Sequence, residues 1–162
     1  MPGIRPAASG DLSAIRDIYN DAILNTVATF DTVARSPEDM IRWFGEHVPR
    51  YPVLVAEDDG RVVGWASLSR WSDRPAYDGT AEVSVYVAGP QRGRRIGSAL
   101  MEALVKAGRE KGFHTIVSRI VEGSDASIRL HEKLGFAHAG VLREAGRKFG
   151  RLLDVTIMQL IL

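Results

Sequence analysis

An arginine-rich segment punctuated by glycine separates a strand-like run from a long helix-like run. The segment is Gln91–Ser98, with the sequence QRGRRIGS, and it follows the strand-like run Ala81–Val87. A loop that opens a helix presents backbone N–H groups without intrahelical acceptors, and the helix dipole adds partial positive charge there. With its three arginines, the segment is typical of a loop that binds a pyrophosphate. An ordinary helix start with solvated arginines would give the same pattern.

The spacing of the glycines excludes the two most common phosphate loops. Gly93 and Gly97 fit neither the G-x-G-x-x-G fingerprint of dinucleotide-binding folds nor the G-x-x-x-x-G-K-S/T pattern of nucleoside triphosphatases. The pattern therefore indicates a phosphate-bearing ligand other than NAD or ATP.

Size and charge restrict the function further. The 162 residues, 45% of them hydrophobic, suffice for one domain with a sizeable core, which we place over residues 1–162. With 21 basic and 20 acidic residues the net charge is +1, so the chain has no general attraction for nucleic acid or an anionic membrane.

The chain contains no cysteine, which excludes disulfides, thiolate metal sites and a cysteine nucleophile. Its four histidines show no metal-binding spacing, so we predict no metal centre. The N-terminal residues have no apolar signal-peptide core, and no apolar run approaches the length of a membrane span. We interpret the chain as a soluble, cytoplasmic protein.

Hydrophobic periodicity and turn residues predict about four helices and about seven strands. The predicted helices are Asp11–Asn25, Ser36–Val48, Ile96–Gly112 and Ala126–Leu134, with Asp11 and Ser36 as N-caps of the first two. The predicted strands lie near Ile4 and at Pro52–Glu57, Arg61–Ser69, Thr80–Val87, His114–Ile120, His138–Glu144 and Leu153–Ile161. This order is typical of one α/β (α+β) domain with a central mixed, mostly antiparallel sheet flanked by helices.

A carboxylate precedes the arginine-rich loop on the adjoining strand. Period-two alternation places Glu82, Ser84 and Tyr86 on one face of that strand and three valines on the other. A half-buried glutamate beside a cleft would have its pKa raised by desolvation, which suits a general base near neutral pH. A glutamate at a solvent edge fits the pattern equally well.

Three further clusters are candidates for binding or chemistry. His131 lies on the helical run Ser127–Phe136, where a lone histidine is more often a hydrogen-bonded core residue than a catalyst. Arg74 and Tyr77 lie on a polar loop before Glu82 and could grip a carboxylate or phosphinate. The basic stretch Arg147–Arg151 is most simply a solvated hairpin turn.

Taken in order, these pieces resemble the GCN5-related N-acetyltransferase (GNAT) superfamily over essentially the whole chain. That superfamily's acetyl-CoA loop has the pattern Q/R-x-x-G-x-G/A, which corresponds here to Arg92–Gly97. More closely, the stretches Asp78–Val87, Ser127–Phe136 and Gly146–Gly150, followed by Asp154-Val155, resemble the phosphinothricin and methionine sulfoximine acetyltransferase branch.

The resemblance implies roles for individual residues. Glu82 corresponds to the family's proposed general base. His131 lies where relatives carry a group that is proposed to protonate the departing thiolate. At this position His131 could donate that proton or only form a hydrogen bond. The residues implied in acetyl-CoA binding are Val85, Tyr86, Val87, Arg92, Gly93, Arg94, Arg95, Ile96, Gly97, Ser98 and Ser124. The acceptor-site candidates are Phe30, Arg74, Tyr77, Val83 and Lys148.

Two positions depart from the family pattern. Arg95 stands where glycine is usual, and we expect the loop to be built at negative φ around it. Ser124 stands where asparagine is usual, so we expect a contact to the cofactor arm to become water-mediated.

The resemblance also implies a function, a cofactor and an assembly. It implies direct acetyl transfer from acetyl-CoA to the α-amine of a small amino-acid-like acceptor, such as phosphinothricin or methionine sulfoximine or sulfone, by a homodimer. Acetylation of a protein N-terminus or a polyamine is an alternative, although Arg74 and Lys148 as acceptor-site residues disfavour a polyamine. A domain that binds acetyl-CoA as a sensor, without turnover, is another.

Overall fold

A seven-stranded sheet with helices on both faces forms the protein, and the computed structural model describes residues 1–162. The strands are β1 (Gly3–Pro6), β2 (Val53–Asp58), β3 (Arg61–Arg70), β4 (Thr80–Val87), β5 (Thr115–Val121), β6 (Ala137–Lys148) and β7 (Arg151–Ile161). The helices are α1 (Leu12–Asn25), α2 (Pro37–His47), α3 (Ile96–Glu110) and α4 (Asp125–Lys133). The sheet order is β1-β2-β3-β4-β5-β7-β6, and every pair is antiparallel except β4 with β5. The predicted fold class is confirmed.

Two hydrophobic clusters cover the two faces of the sheet. Alternation along β2 sends Leu54 and Ala56 to one cluster and Val53 and Val55 to the other. The first cluster contains the apolar side of α3 and is flanked by α4. The second contains residues of α1 and α2 and the ring of Trp65. Each cluster therefore joins one pair of helices to the shared sheet.

The two predicted helix caps differ in outcome. Ser36 caps α2 in a capping box: Asp39 N–H donates to Ser36 Oγ at 3.1 Å, and Ser36 N–H donates to Asp39 Oδ2 at 2.9 Å. Asp11 occupies the predicted N-cap position of α1, but its carboxylate makes no capping hydrogen bond to that helix. Instead it accepts from Ala8 N–H and from both terminal nitrogens of Arg5. That contact with Arg5 holds the pKa of Asp11 below its usual value.

The C-terminal hairpin is longer than the sequence predicts. β6 continues past Glu144 to Lys148 because the pairing with β7 absorbs a register shift between Leu142 and Gly146. The turn itself is only Phe149 and Gly150, both at positive φ. The prediction of a solvated turn over Arg147–Arg151 is therefore wrong for Lys148, whose side chain is buried.

Candidate active site

β4 and β5 run side by side for only three residue pairs and then diverge. The pairs are Thr80 with Thr115, Ala81 with Ile116, and Glu82 with Val117. Beyond them a cavity of about 670 Å³ opens, completed by the loop between α1 and α2 and by the start of α4. Backbone groups of residues 83–87 that point toward β5 therefore have no strand partner there.

The cavity brings together residues that the sequence places far apart. The predicted site residues that line it are Phe30, Glu82, Val83, Val85, Tyr86, Ser124 and His131. Arg74 and Tyr77 do not line it: they lie on an exposed turn before β4. Lys148 does not line it either, although it contacts the adjacent loop.

The segment before α3 carries a row of unpaired backbone donors. None of the N–H groups of residues 93–98 donates to an acceptor within the protein, and the α3 ladder begins when Ala99 N–H donates to the Arg95 carbonyl oxygen at 3.1 Å. Those donors lie at the positive end of the α3 dipole. Their arrangement and chemistry fit the oxygens of a diphosphate.

The backbone at Arg95 is left-handed, with φ 63° and ψ 15°. The expectation that this loop is built at negative φ is therefore wrong, since Gly93 also has φ 80°. A non-glycine residue in this region costs roughly 1–2 kcal/mol because Cβ approaches the following carbonyl oxygen. The strained residue therefore lies within the segment of unpaired N–H groups, residues 93–98.

The three arginines of the loop are not equivalent. Arg94 is held by Asp58, with Nη1 and Oδ2 3.2 Å apart, and Arg92 Nε donates to the Val87 carbonyl oxygen at 3.3 Å. Neither Arg92 nor Arg95 forms an ion pair with a carboxylate. These two guanidinium groups are therefore available to an anionic ligand.

Glu82 is paired with an arginine that the sequence analysis missed. Arg119 Nη2 donates to Glu82 Oε1 at 2.8 Å, and Arg119 Nε donates to Oε2. The predicted half-buried glutamate therefore has an ion-pair partner that the prediction left out. Arg119 is the single charged residue of β5, whose sequence is TIVSRIV. A lone charge in an otherwise uncharged strand is the sequence feature that could have pointed to Arg119.

His131 is buried and hydrogen-bonded at both ring nitrogens. Nδ1 lies 2.7 Å from the Ser127 carbonyl oxygen, so this nitrogen carries the hydrogen and donates it. Nε2 then accepts from the Ser118 hydroxyl, 2.9 Å away. Burial lowers the pKa of His131, so the ring is neutral near pH 7. Ser118, on β5, is a second lining residue that the sequence analysis missed.

Two tyrosines and an aspartate lie together on the cavity wall where the loop between α1 and α2 meets β4. Tyr19 from α1 donates to Asp31 and lies 3.0 Å from the Thr29 hydroxyl, while its ring packs edge-on against Tyr86. Burial and the contact with Asp31 raise the pKa of Tyr19 to about 12. Arg35 Nη2 donates to the same oxygen of Asp31, Oδ2, at 2.8 Å.

The chain matches the acetyltransferase (GNAT) family over residues 14–136. It is 43% identical over 159 residues to an L-methionine sulfoximine/L-methionine sulfone acetyltransferase of Pseudomonas aeruginosa, covering 97% of this chain and 92% of that protein. The chain belongs to the GNAT family of acetyltransferases. Its predicted resemblance to the phosphinothricin and methionine sulfoximine branch is thereby confirmed.

Solved GNAT structures superimpose on this one almost completely. A phosphinothricin acetyltransferase from Sinorhizobium meliloti in complex with acetyl-CoA gives a TM-score of 0.96 at 36% identity, covering 99% of this chain and 88% of that one. A ribosomal-protein-alanine N-acetyltransferase from Brucella melitensis gives 0.96 at 40% identity, covering 99% of both chains. Proteins with this fold are therefore named for different acetyl acceptors.

A second cavity of about 300 Å³ adjoins the first in this GNAT protein. The two share Tyr19 and Ser84, and the second extends between α2 and the sheet. The Trp65 indole N–H at its wall is buried and has no hydrogen-bond acceptor. None of the helices is long and apolar enough to cross a membrane.

Proposed function

We propose that this GNAT protein transfers an acetyl group from acetyl-CoA to the α-amine of a small amino-acid-like acceptor, through one domain that spans residues 1–162. The observation that carries the proposal is the gap between β4 and β5, which begins at Glu82 and exposes the edge of β4 that leads to the unpaired donors of residues 93–98. The names of the relatives support methionine sulfoximine, methionine sulfone or phosphinothricin as acceptors.

The residues that we propose to bind acetyl-CoA are those with unpaired backbone N–H groups or free guanidinium groups. The N–H groups of residues 93–98, with Arg92 and Arg95, would hold the pyrophosphate, and Ile96, Gly97 and Ser98 form the first turn of α3 there. The free edge of Val85–Val87 would pair with the amide groups of the pantetheine arm. Ser124, at the start of α4 on the cavity wall, offers a hydroxyl to the same arm.

Glu82 is the proposed general base. The acceptor ammonium loses one proton to Glu82, directly or through water, and the freed lone pair forms a bond to the thioester carbonyl carbon. The carbon–sulfur bond then breaks, and a second proton from the nitrogen ends on sulfur as a thiol. The products are one amide, one coenzyme A thiol and one proton, which Glu82 returns to water. A backbone N–H of the open β4 edge would polarise the thioester carbonyl.

We propose that His131 acts only through hydrogen bonds and does not protonate the departing thiolate. Its Nδ1 hydrogen is committed to Ser127 and its Nε2 lone pair to Ser118. Since the neutral ring has no other hydrogen on nitrogen, it has no proton to give a departing thiolate. His131 instead fixes the Ser118 hydroxyl at the cavity wall.

We also propose a homodimer that forms through the C-terminal hairpin. β6 is a sheet edge whose residues 137–145 are all exposed, including Val141 and Leu142. Leu152 and Phe149 add exposed apolar surface from the same hairpin. A long apolar edge strand favours association with another chain.

The first experiment measures thiol release from acetyl-CoA with a panel of amines. The panel contains phosphinothricin, methionine sulfoximine, methionine sulfone, common amino acids, spermidine and an alanine-terminated peptide, which tests the acceptor named in the Brucella melitensis relative. Turnover limited to amino-acid analogues is expected. Preference for spermidine or the peptide would contradict the acceptor class, and acetyl-CoA binding without any turnover would favour a sensor domain.

A further inference from the structure

Two N–H groups of Arg119 hold the carboxylate of Glu82. Arg119 Nη2 and Nε each donate to a different oxygen, so both oxygens already accept charge-assisted hydrogen bonds. The residues come from β4 and β5 at the place where the strands diverge. Protonation of such a carboxylate weakens both hydrogen bonds. The ability of Glu82 to accept a proton therefore depends on its hydrogen bonds with Arg119.

Arg119 has hydrogen-bond donors left over. A guanidinium carries five N–H groups, and Arg119 Nη1 has no acceptor in the protein. The free Nη1–Nη2 edge is a planar fork that matches an anionic carboxylate or phosphinate. The side chain is 56% exposed, and its guanidinium carbon lies 5.6 Å from the centre of the Trp71 ring. A ligand in the cavity can therefore reach the free edge.

Arg119 is the single permanently charged cation in the cavity wall. The other ionised lining residues are the carboxylates Asp31 and Glu82. Arg35 and Arg42 line the adjoining cavity, but Arg35 is paired with Asp31 and Arg42 with Asp39. An acceptor that carries an anionic group next to its amine therefore finds its counter-charge at Arg119.

We propose that Arg119 selects free α-amino acids as acceptors. Its open edge binds the acceptor carboxylate while Glu82 faces the acceptor ammonium, so the Glu82–Arg119 pair is the charge complement of an α-amino-acid zwitterion. This inference rests on the proposed acetyltransferase function. A polyamine or the N-terminus of a peptide has no carboxylate beside its amine and gains nothing from Arg119.

The test compares methionine sulfone with methionine sulfone amide, which keeps the α-amine and the side chain but lacks the acid. Both are assayed with the wild type, Arg119→Met, Arg119→Lys and the control Arg16→Met. Arg16 is also ion-paired with a carboxylate, Asp17, but lines neither cavity. The quantity compared is the ratio of kcat/KM for the acid to kcat/KM for the amide.

In Arg119→Met this ratio is expected to fall about ten- to hundredfold, the loss for a hydrogen-bonded ion pair with a substrate. Any effect of the substitution on Glu82 is shared by the two compounds and cancels in the ratio, so the change in the ratio should come mainly from the KM of the acid. Arg119→Lys, which keeps the charge and loses the fork, should lie between, and Arg16→Met should match the wild type.

Two results would overturn the role of Arg119 while leaving the acetyltransferase function intact. One is a wild-type ratio near one, which needs no variant and so does not depend on variant folding. The other is an unchanged ratio in Arg119→Met. If the wild type acetylates neither compound, the proposed function fails for this acceptor, and calorimetry of methionine sulfone with coenzyme A present decides about Arg119 separately. Equal affinity in wild type and Arg119→Met would then reject its role.

Discussion

Lys148 Nζ donates a 2.8 Å hydrogen bond to the carbonyl oxygen of Thr29, a residue 119 positions earlier in the chain. The Lys148 side chain is buried, and that burial lowers the pKa of its ammonium group. The contact ties the C-terminal hairpin to the loop between α1 and α2, which supplies Thr29, Phe30 and Asp31 to the cavity wall. The hairpin therefore positions this loop, and it also contributes Leu142, Ala145 and Val155 to the cavity wall.

Lys148→Met should raise the KM for the acceptor several-fold and leave acetyl-CoA affinity unchanged, because only the loop at residues 28–31 loses support. The free energy of unfolding should fall by about 1 kcal/mol, since a charge-assisted hydrogen bond is lost while an ammonium is relieved of burial. Steady-state kinetics and urea unfolding measure both quantities. Lys106→Met, on exposed α3 surface, is the control, and an acceptor KM unchanged from wild type would contradict the loop-support role.

Gly146→Ala should displace the ring of Phe30. A Cβ at this position would meet that ring, with Cδ2 at 2.7 Å, and Phe30 is a lining residue of the cavity. The expected cost is about 1–3 kcal/mol in unfolding free energy, together with a higher acceptor KM. Adding Phe30→Ala should remove most of the penalty of Gly146→Ala, measured as a double-mutant cycle.

Gly45→Ala is the matched control for that cycle. Nothing lies within 4 Å of a Cβ at Gly45, and the residue is inside α2. This change should stabilise the protein by about 0.5–1 kcal/mol. If Gly146→Ala proved as harmless as Gly45→Ala, the close packing of Phe30 on β6 would be disproved.

The protein should lose stability as the pH falls from about 6.5 to 5. Burial lowers the pKa of His131 and of His47 in the folded state, so the unfolded chain binds more protons in this range. The free energy of unfolding therefore decreases with falling pH, by at most about 1.4 kcal/mol per pH unit for each histidine. Urea unfolding at several pH values measures this slope. His131→Gln should reduce the slope, and a wild-type stability independent of pH would refute the neutral buried rings.

Arg95→Gly should be more stable than Arg95→Ala by about 1 kcal/mol, because only glycine adopts φ 63° without steric cost. For a chain of this size the difference corresponds to roughly 2–4 °C in Tm. Both variants lose the same guanidinium, so calorimetry should show a similar reduction in acetyl-CoA affinity for the two. Equal Tm values would mean that the left-handed turn at Arg95 is not maintained in solution.

Glu82→Gln should lower kcat by about 10²–10⁴-fold, the range for loss of a general base, and leave acetyl-CoA binding nearly intact. The control is Arg92→Ala, which should weaken acetyl-CoA binding because Arg92 has no carboxylate partner and flanks the row of N–H donors. Rapid-quench or thiol-release assays give kcat, and calorimetry gives the affinity. Equal turnover in Glu82→Gln and wild type would remove the base assignment.

Features that depend on neighbouring residues were predictable. The Ser36 cap of α2 and the succession of β4, the arginine-rich loop and α3 both follow from residues within a few positions of one another. Asp11 has the predicted N-cap position but makes no capping hydrogen bond, because Arg5, on β1, holds its carboxylate. The prediction for Arg95 failed because the connection from β4 to α3 is left-handed at this position, which an arginine does not indicate.

The sequence by itself determined the order of elements, the apolar faces and the donor row, because hydrogen bonding and side-chain periodicity act over one or two turns of chain. Tertiary structure alone decided the partners of the site residues: Arg119 for Glu82, 37 positions away, Ser118 for His131, and Thr29 for Lys148. The first pair depends on the register of β5 against β4, and the other two depend on how α4 and the loop between α1 and α2 pack against the sheet. That register is set by the packing of both hydrophobic clusters at once, which no local stretch of sequence encodes.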